Sequence, residues 1–148
     1  MIRFSKRLPT NVLEKIPEIK EDFSENRDVV ALYIMGSAAA DNLKPLSDLD
    51  FGVLLAAEIP KRHRFEIHLS FLGYLTRKFG TDEVDLVLLN EAPARIAYSI
   101  IRGGRLLLCR DEKELANFME NTVREYLDFK FYQDDFDSTF LQMIGYHG

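Results

Sequence analysis

Apolar positions along the chain fall into stripes and runs that follow the two periodicities of secondary structure. Val12, Ile16, Ile19 and Phe23 recur at helical spacing and predict a helix from Thr10 to about Asn26. Pro17 falls inside it. A proline in a helix interior costs about 3 kcal/mol, so Pro17 is expected to open a second short helix rather than sit mid-helix. The unbroken apolar run Val29 to Met35 ends at Gly36 and reads as a buried strand meeting a turn. A second strand is predicted over Asp48 to Leu55 and a third over Glu83 to Leu89. Between them, Lys61 to Phe79 reads as a helix with Phe65, Leu69, Leu72, Leu75 and Phe79 as its core stripe and Gly80 as its stop. Ile67, Phe71 and Tyr74 form a second stripe, so this helix is expected to be buried between the sheet and another helix rather than to offer a partner surface.

The remaining pattern is a short helix over Ala92 to Arg102 stopped by Gly103-Gly104, a strand over Arg105 to Cys109, and a helix from about Asp111 to Tyr132. Leu115, Phe118, Met119, Thr122, Val123 and Tyr126 mark the inward face of that last helix. The tail is acidic at Asp134, Asp135 and Asp137 and then apolar at Phe140, Leu141, Met143, Ile144 and Tyr146. Two readings of it stay open: a segment folded on the domain's own core, or a docking peptide for a basic partner surface. No repeat and no Gly-, Ser- or Pro-rich linker divides the chain, so residues 1–148 are expected to form one domain with a C-terminal helix and tail from about residue 111. Strands and helices mix without a strict βαβ period, which predicts the α+β class with a small mixed sheet flanked by helices.

Charge narrows the partners. Nineteen basic against twenty-four acidic residues give a net charge of −5, and no long basic block appears, so nucleic acid is a poor choice of direct partner. The single cysteine, Cys109, excludes a disulfide within the chain. With no secretory-signal pattern at Met1 to Arg7 and no apolar run near the ~18 residues of a membrane span, the cytoplasm is the expected location. Self-association stays open.

The chemistry is concentrated in Gly36-Ser37, ten further residues, and Asp48-Leu49-Asp50. Alternation along a strand puts Asp48 and Asp50 on one side, roughly 7 Å apart, with Leu49, Phe51 and Val53 on the other. Two like charges on one strand face have no structural advantage, and a divalent cation would remove their repulsion. Asp85 stands alone among Val84, Leu86 and Leu88 in the third strand, and joins the pair if the two strands are neighbours. Three carboxylates form the oxygen-only environment magnesium prefers, and can hold two ions about 3.5–4 Å apart for in-line phosphoryl displacement. Ser37 can open a helix whose free N–H groups accept phosphate, while Gly36 lets the backbone approach closely. Other sites read weakly. His63 and His68 are five apart and fall on different helix faces, no G-x-S-x-G hydrolase motif occurs, Cys109 reads as a small core residue, and Arg102 and Arg105 read as solvated residues flanking a helix stop.

These residues, with the Val84 to Val87 strand, the stretch from Asn90 through Ala92-Pro93 to Gly104 and Leu108, and the Phe118 to Tyr126 helix, resemble the minimal nucleotidyltransferases, or MNT proteins, of the DNA polymerase β-type superfamily. The resemblance implies a polymerase β-like palm that uses ATP as substrate and Mg²⁺ as cofactor. It also implies an antitoxin that transfers AMP to a tyrosine of a cognate HEPN toxin. Catalytic and metal-binding roles then fall to Asp48, Asp50 and Asp85, and nucleotide binding to Gly36 and Ser37. One departure stands out: where the family often reads GSxARG, this chain has Ala40 and Asp41, which removes a positive charge beside the triphosphate and adds a negative one. Two alternatives accompany the reading. One is a non-catalytic binding module that neutralises its partner by occlusion; the other is a nucleotidyltransferase acting on a small molecule.

Overall fold

The computed structural model describes residues 12–35 and 49–145. In chain order these form α1 (Val12–Ser24), β1 (Val29–Met35), β2 (Leu49–Leu55), α2 (Lys61–Phe79) and β3 (Val84–Leu88), then a single 3-10 turn (Leu89–Glu91), α3 (Ala94–Gly103), β4 (Arg105–Cys109) and α4 (Glu112–Met143). The sheet runs β3-β2-β1-β4. β1 is antiparallel to both β2 and β4, while β2 and β3 are parallel, so the sheet is mixed and the class α+β.

Because strand side chains alternate, the sheet has two apolar faces. Leu32, Ile34, Phe51 and Val53 pack with Ile19 and Phe23 of α1 and Leu75 and Phe79 of α2. Ala31, Tyr33 and Leu54 pack with Leu89, Ala97 and Ile100 around α3 and Leu115 of α4. Side-chain clamps join the layers. Asn90 accepts from the Leu55 N–H (2.8 Å) and donates to the Leu55 carbonyl (2.9 Å), completing the end of β2. Arg110 donates to the carbonyls of Val29 (3.2 Å) and Asn26 (3.2 Å), fixing the turn between α1 and β1.

Pro17 does not open a second helix; it sits inside a continuous α1. Its ring lies on the exposed side, and Ile16, Ile19 and Phe23 on the other side are buried. At about 1.5–3 kcal/mol each, those three burials outweigh the ~3 kcal/mol proline penalty. The turn after α2 follows the glycine signal, with Gly80 at φ 66° donating to the Thr76 carbonyl (2.9 Å).

The α2 stripe needs correction. Leu75 and Phe79 are buried, and Phe71 and Tyr74 pack on Phe23 with ring centroids 4.9 and 5.7 Å away, but Phe65 and Leu69 are 61% and 52% exposed. The N-terminal half of α2 turns His68 inward, where its Nε2 lies 2.6 Å from the Leu86 carbonyl. Leu69, one residue on, is rotated by about 100° and faces out. The last helix also exceeds its expected end at Tyr132 and continues to Met143. From Leu127 to Gly145 it is exposed on every side, so the described part of the tail is not folded on the core.

Candidate active site

Asp50 and Asp85 are direct register partners on the parallel strands β2 and β3. Neighbouring strands lie about 4.8 Å apart, so the two carboxylates rise side by side from one face. That face is the one covered by α3: Gly52, two residues after Asp50, lies against Ile100, and Val87, two after Asp85, packs in the α3/α4 cluster. Met35 is the partner of Asp50 on the far side, and Arg105 pairs with Ile34 beyond it. One end of the sheet therefore lines up Asp85, Asp50, Met35 and the start of β4. Asp50 is half-buried and Asp85 exposed, so Asp85 is open to a reactant arriving from solvent.

Gly104 brings α3 to this end. A Cβ there would lie 2.6 Å from the Ile100 carbonyl oxygen and 3.3 Å from both the Ile34 oxygen and Met35 Cγ, so only glycine permits the turn from α3 into β4 to sit this close. The same approach completes a cleft of about 840 Å³, lined by Met35 and Val87 of the sheet, by Arg95, Ser99 and Arg102 of α3, and by Tyr126 of α4. Arg95, Ser99 and Arg102 stand at i, i+4 and i+7, on one exposed helix face. Tyr98 and Tyr126 stack across the α3/α4 contact at 4.0 Å with their planes 3° apart. Acidic strand ends thus stand beside a basic and aromatic helix face.

Three of the expected site residues, Gly36, Ser37 and Asp48, lie outside the described residues, as do Ala40 and Asp41. Among the described residues no cluster of three His, Cys, Asp or Glu side chains forms a metal site. The donor chemistry of Asp50 and Asp85 fits a hard divalent cation, with Asp48 two positions before Asp50 in sequence as the natural third carboxylate. Sequence reasoning set Arg102 aside and missed Arg95, Tyr98, Ser99 and Tyr126. The i, i+4, i+7 spacing of Arg95, Ser99 and Arg102 was the available signal. Cys109 is half-buried at the end of β4, and burial above all pushes its thiol pKa up. Burial likewise raises the pKa of Tyr33 on the inner side of this face.

The mixed four-stranded sheet flanked by helices is a nucleotidyltransferase fold. The family model for polymerase beta nucleotidyltransferases matches residues 17–113, and the chain belongs to that family. Among solved structures it is similar to a toxin–antitoxin structure with AMP-PNP, with a TM-score of 0.61 and 21% identity, covering 88% of this chain and 98% of that one. It is also similar to a MntA–HepT toxin–antitoxin structure, with a TM-score of 0.58 and 19% identity, covering 86% of this chain and 97% of that one. A third likeness is to a structure of tri-AMPylated Shewanella oneidensis HEPN toxin in complex with MNT antitoxin, with a TM-score of 0.56 and 20% identity, covering 87% and 95% of the two chains. At these identities the likeness is one of fold. No curated protein matches the chain. Among the described residues no helix is long and apolar enough to cross a membrane.

Proposed function

We propose that this chain is an MNT antitoxin that transfers AMP from ATP to a tyrosine hydroxyl of a cognate HEPN toxin in the cytoplasm. The observation that carries the reading is the register pairing of Asp50 with Asp85 on the cleft-lined face of the sheet, in a chain of the polymerase beta nucleotidyltransferase family. The toxin partner is supported by the fold likeness to structures of toxin–antitoxin pairs, one with AMP-PNP and one with a tri-AMPylated HEPN toxin.

Asp48, Asp50 and Asp85 would hold Mg²⁺, which when bound neutralises triphosphate charge and lowers the pKa of the acceptor hydroxyl. The backbone at Gly36 and Ser37 would receive the phosphates through N–H groups. Arg95 and Arg102 supply positive charge along the cleft. The tyrosine oxygen bonds to the α-phosphorus, the bond to the leaving pyrophosphate breaks, and exposed Asp85 takes up the phenolic proton. Rate comes from positioning and charge neutralisation.

The deciding experiment incubates the toxin with this chain, ATP and Mg²⁺. The expected result is an AMP adduct on a toxin tyrosine and a toxin that stays inactive after the antitoxin is stripped away, since a covalent adduct does not dissociate. An unmodified toxin that regains activity on stripping would establish occlusion instead.

A further inference from the structure

The inward stripe of α4 follows one 4-3 repeat along the whole helix. Its covered part is Leu115, Met119, Thr122 and Tyr126, which are buried or half-buried against α3 and the sheet. The same repeat continues as Phe129, Gln133, Phe136, Phe140 and Met143, with no break in phase. There the cover ends: Phe129, Phe136, Phe140 and Met143 are 48, 67, 49 and 78% exposed. Phe136 and Phe140 are stacked on the outside of the helix, ring centroids 6.3 Å apart. Phe131 and Tyr132 extend the apolar surface to a second side. Scattered exposed apolar residues are normal, but three phenylalanines and a methionine recurring on one side over four helical turns, interrupted only at Gln133, mark an interaction site.

Charge selects the occupant. From Glu125 to Asp137 the helix carries Glu125, Asp128, Asp134, Asp135 and Asp137 against Lys130 alone. A second copy would set acid against acid on both flanks of the apolar seam, which is destabilising. An anionic membrane would be repelled for the same reason, since helices that lie on such membranes carry Lys and Arg on their polar face. A protein groove with an apolar floor and a rim of Lys and Arg answers both parts of the surface.

Resting on the proposed function, we infer that the projecting half of α4 is a docking helix: Phe129, Phe136, Phe140 and Met143 enter an apolar groove on the HEPN toxin, and Asp134, Asp135 and Asp137 meet basic residues on its rim. The projecting half, from Leu127 on, lies beyond residues 17–113, the part matched to the nucleotidyltransferase family, and beyond Tyr126, the last α4 residue lining the cleft, so docking and transfer belong to separate segments.

The test titrates the full chain into purified HEPN toxin by calorimetry. Phe136→Asp/Phe140→Asp is expected to weaken binding at least 30-fold while its melting temperature stays unchanged, because both side chains are already exposed. AMP transfer by this variant is expected to survive at saturating toxin. Asp134→Lys/Asp135→Lys/Asp137→Lys keeps the aromatic stripe and is expected to weaken binding at least 10-fold at low salt, with little further loss as salt is raised. Wild-type affinity in both variants overturns the inference. So does a wild-type dimer, seen by light scattering, that Phe136→Asp/Phe140→Asp converts to monomer. If wild type transfers AMP and the variants bind normally, this inference alone fails. If wild type neither binds nor modifies the toxin, the proposed function fails and the docking helix with it.

Discussion

On the α1/α2 face of the sheet, Leu32, Ile34, Phe51 and Val53 close against Ile19, Phe23, Leu75 and Phe79, all nearly free of solvent. On the α3/α4 face β2 and β3 carry Asp50 and Asp85 near their starts, beside an open cleft bordered by Arg95, Arg102 and a tyrosine stack. Strand alternation alone makes this possible: Asp50 and Phe51 are neighbours in sequence and point to opposite layers. Both faces bury apolar residues, but only the α1/α2 face is closed along the full length of the strands. The other can then carry like charges, a half-filled cleft and a glycine-dependent close approach.

That division is open to attack from either side. Asp85→Asn is expected to reduce AMP transfer by roughly a thousandfold or more, about 4 kcal/mol of transition-state stabilisation, in a steady-state assay, with the melting temperature unchanged. Near-normal transfer would show that the third carboxylate is not part of the chemistry. Phe51→Ala should do the opposite, costing about 3–5 kcal/mol in denaturant unfolding because the ring is fully buried. Any variant protein that remains folded should keep its nucleotide affinity. Gly104→Val sharpens the boundary between the faces. Its side chain would collide with backbone oxygens, so about 1–3 kcal/mol of stability and a measurable part of nucleotide affinity should be lost together.

The smallest effect lies in the helix layer. Tyr74 donates to Asp22, and its phenol pKa is raised well above 10, first by burial and then by that hydrogen bond and the charges of Asp22 and Glu18. A raised folded-state pKa means that this contribution is complete below the unfolded value near 10 and is lost as pH climbs from there toward the folded value. Tyr74→Phe should therefore cost about 0.5–1.5 kcal/mol at neutral pH and flatten the fall in stability above pH ~10, as followed by denaturant melts.

What was legible in the sequence followed short-range rules. The Gly80 stop, the ends of β1 and β4, and the isolated acid in β3 all depend on a few neighbouring residues, and each stands where its local pattern placed it. The pairing of Asp50 with Asp85 needed one further fact, that β2 and β3 are adjacent, which no local pattern carries. Features that sequence reading missed were decided by contacts at long range. Pro17 is held mid-helix by Ile16, Ile19 and Phe23, and His68, not Leu69, takes the inward position in the first half of α2. Tyr98 and Tyr126 meet only because α3 and α4 pack.

The claim that the acidic face of the sheet is a nucleotide site is tested most directly by thermal unfolding with and without ATP and Mg²⁺. Ligand at about a hundred times its dissociation constant adds about 2.7 kcal/mol to the native state, which for a chain of this length raises the melting temperature by several degrees. Wild type should show that rise, and Asp48→Asn/Asp50→Asn should melt at the same temperature with or without ligand. Equal stabilisation of the two proteins would contradict a nucleotide held through these carboxylates.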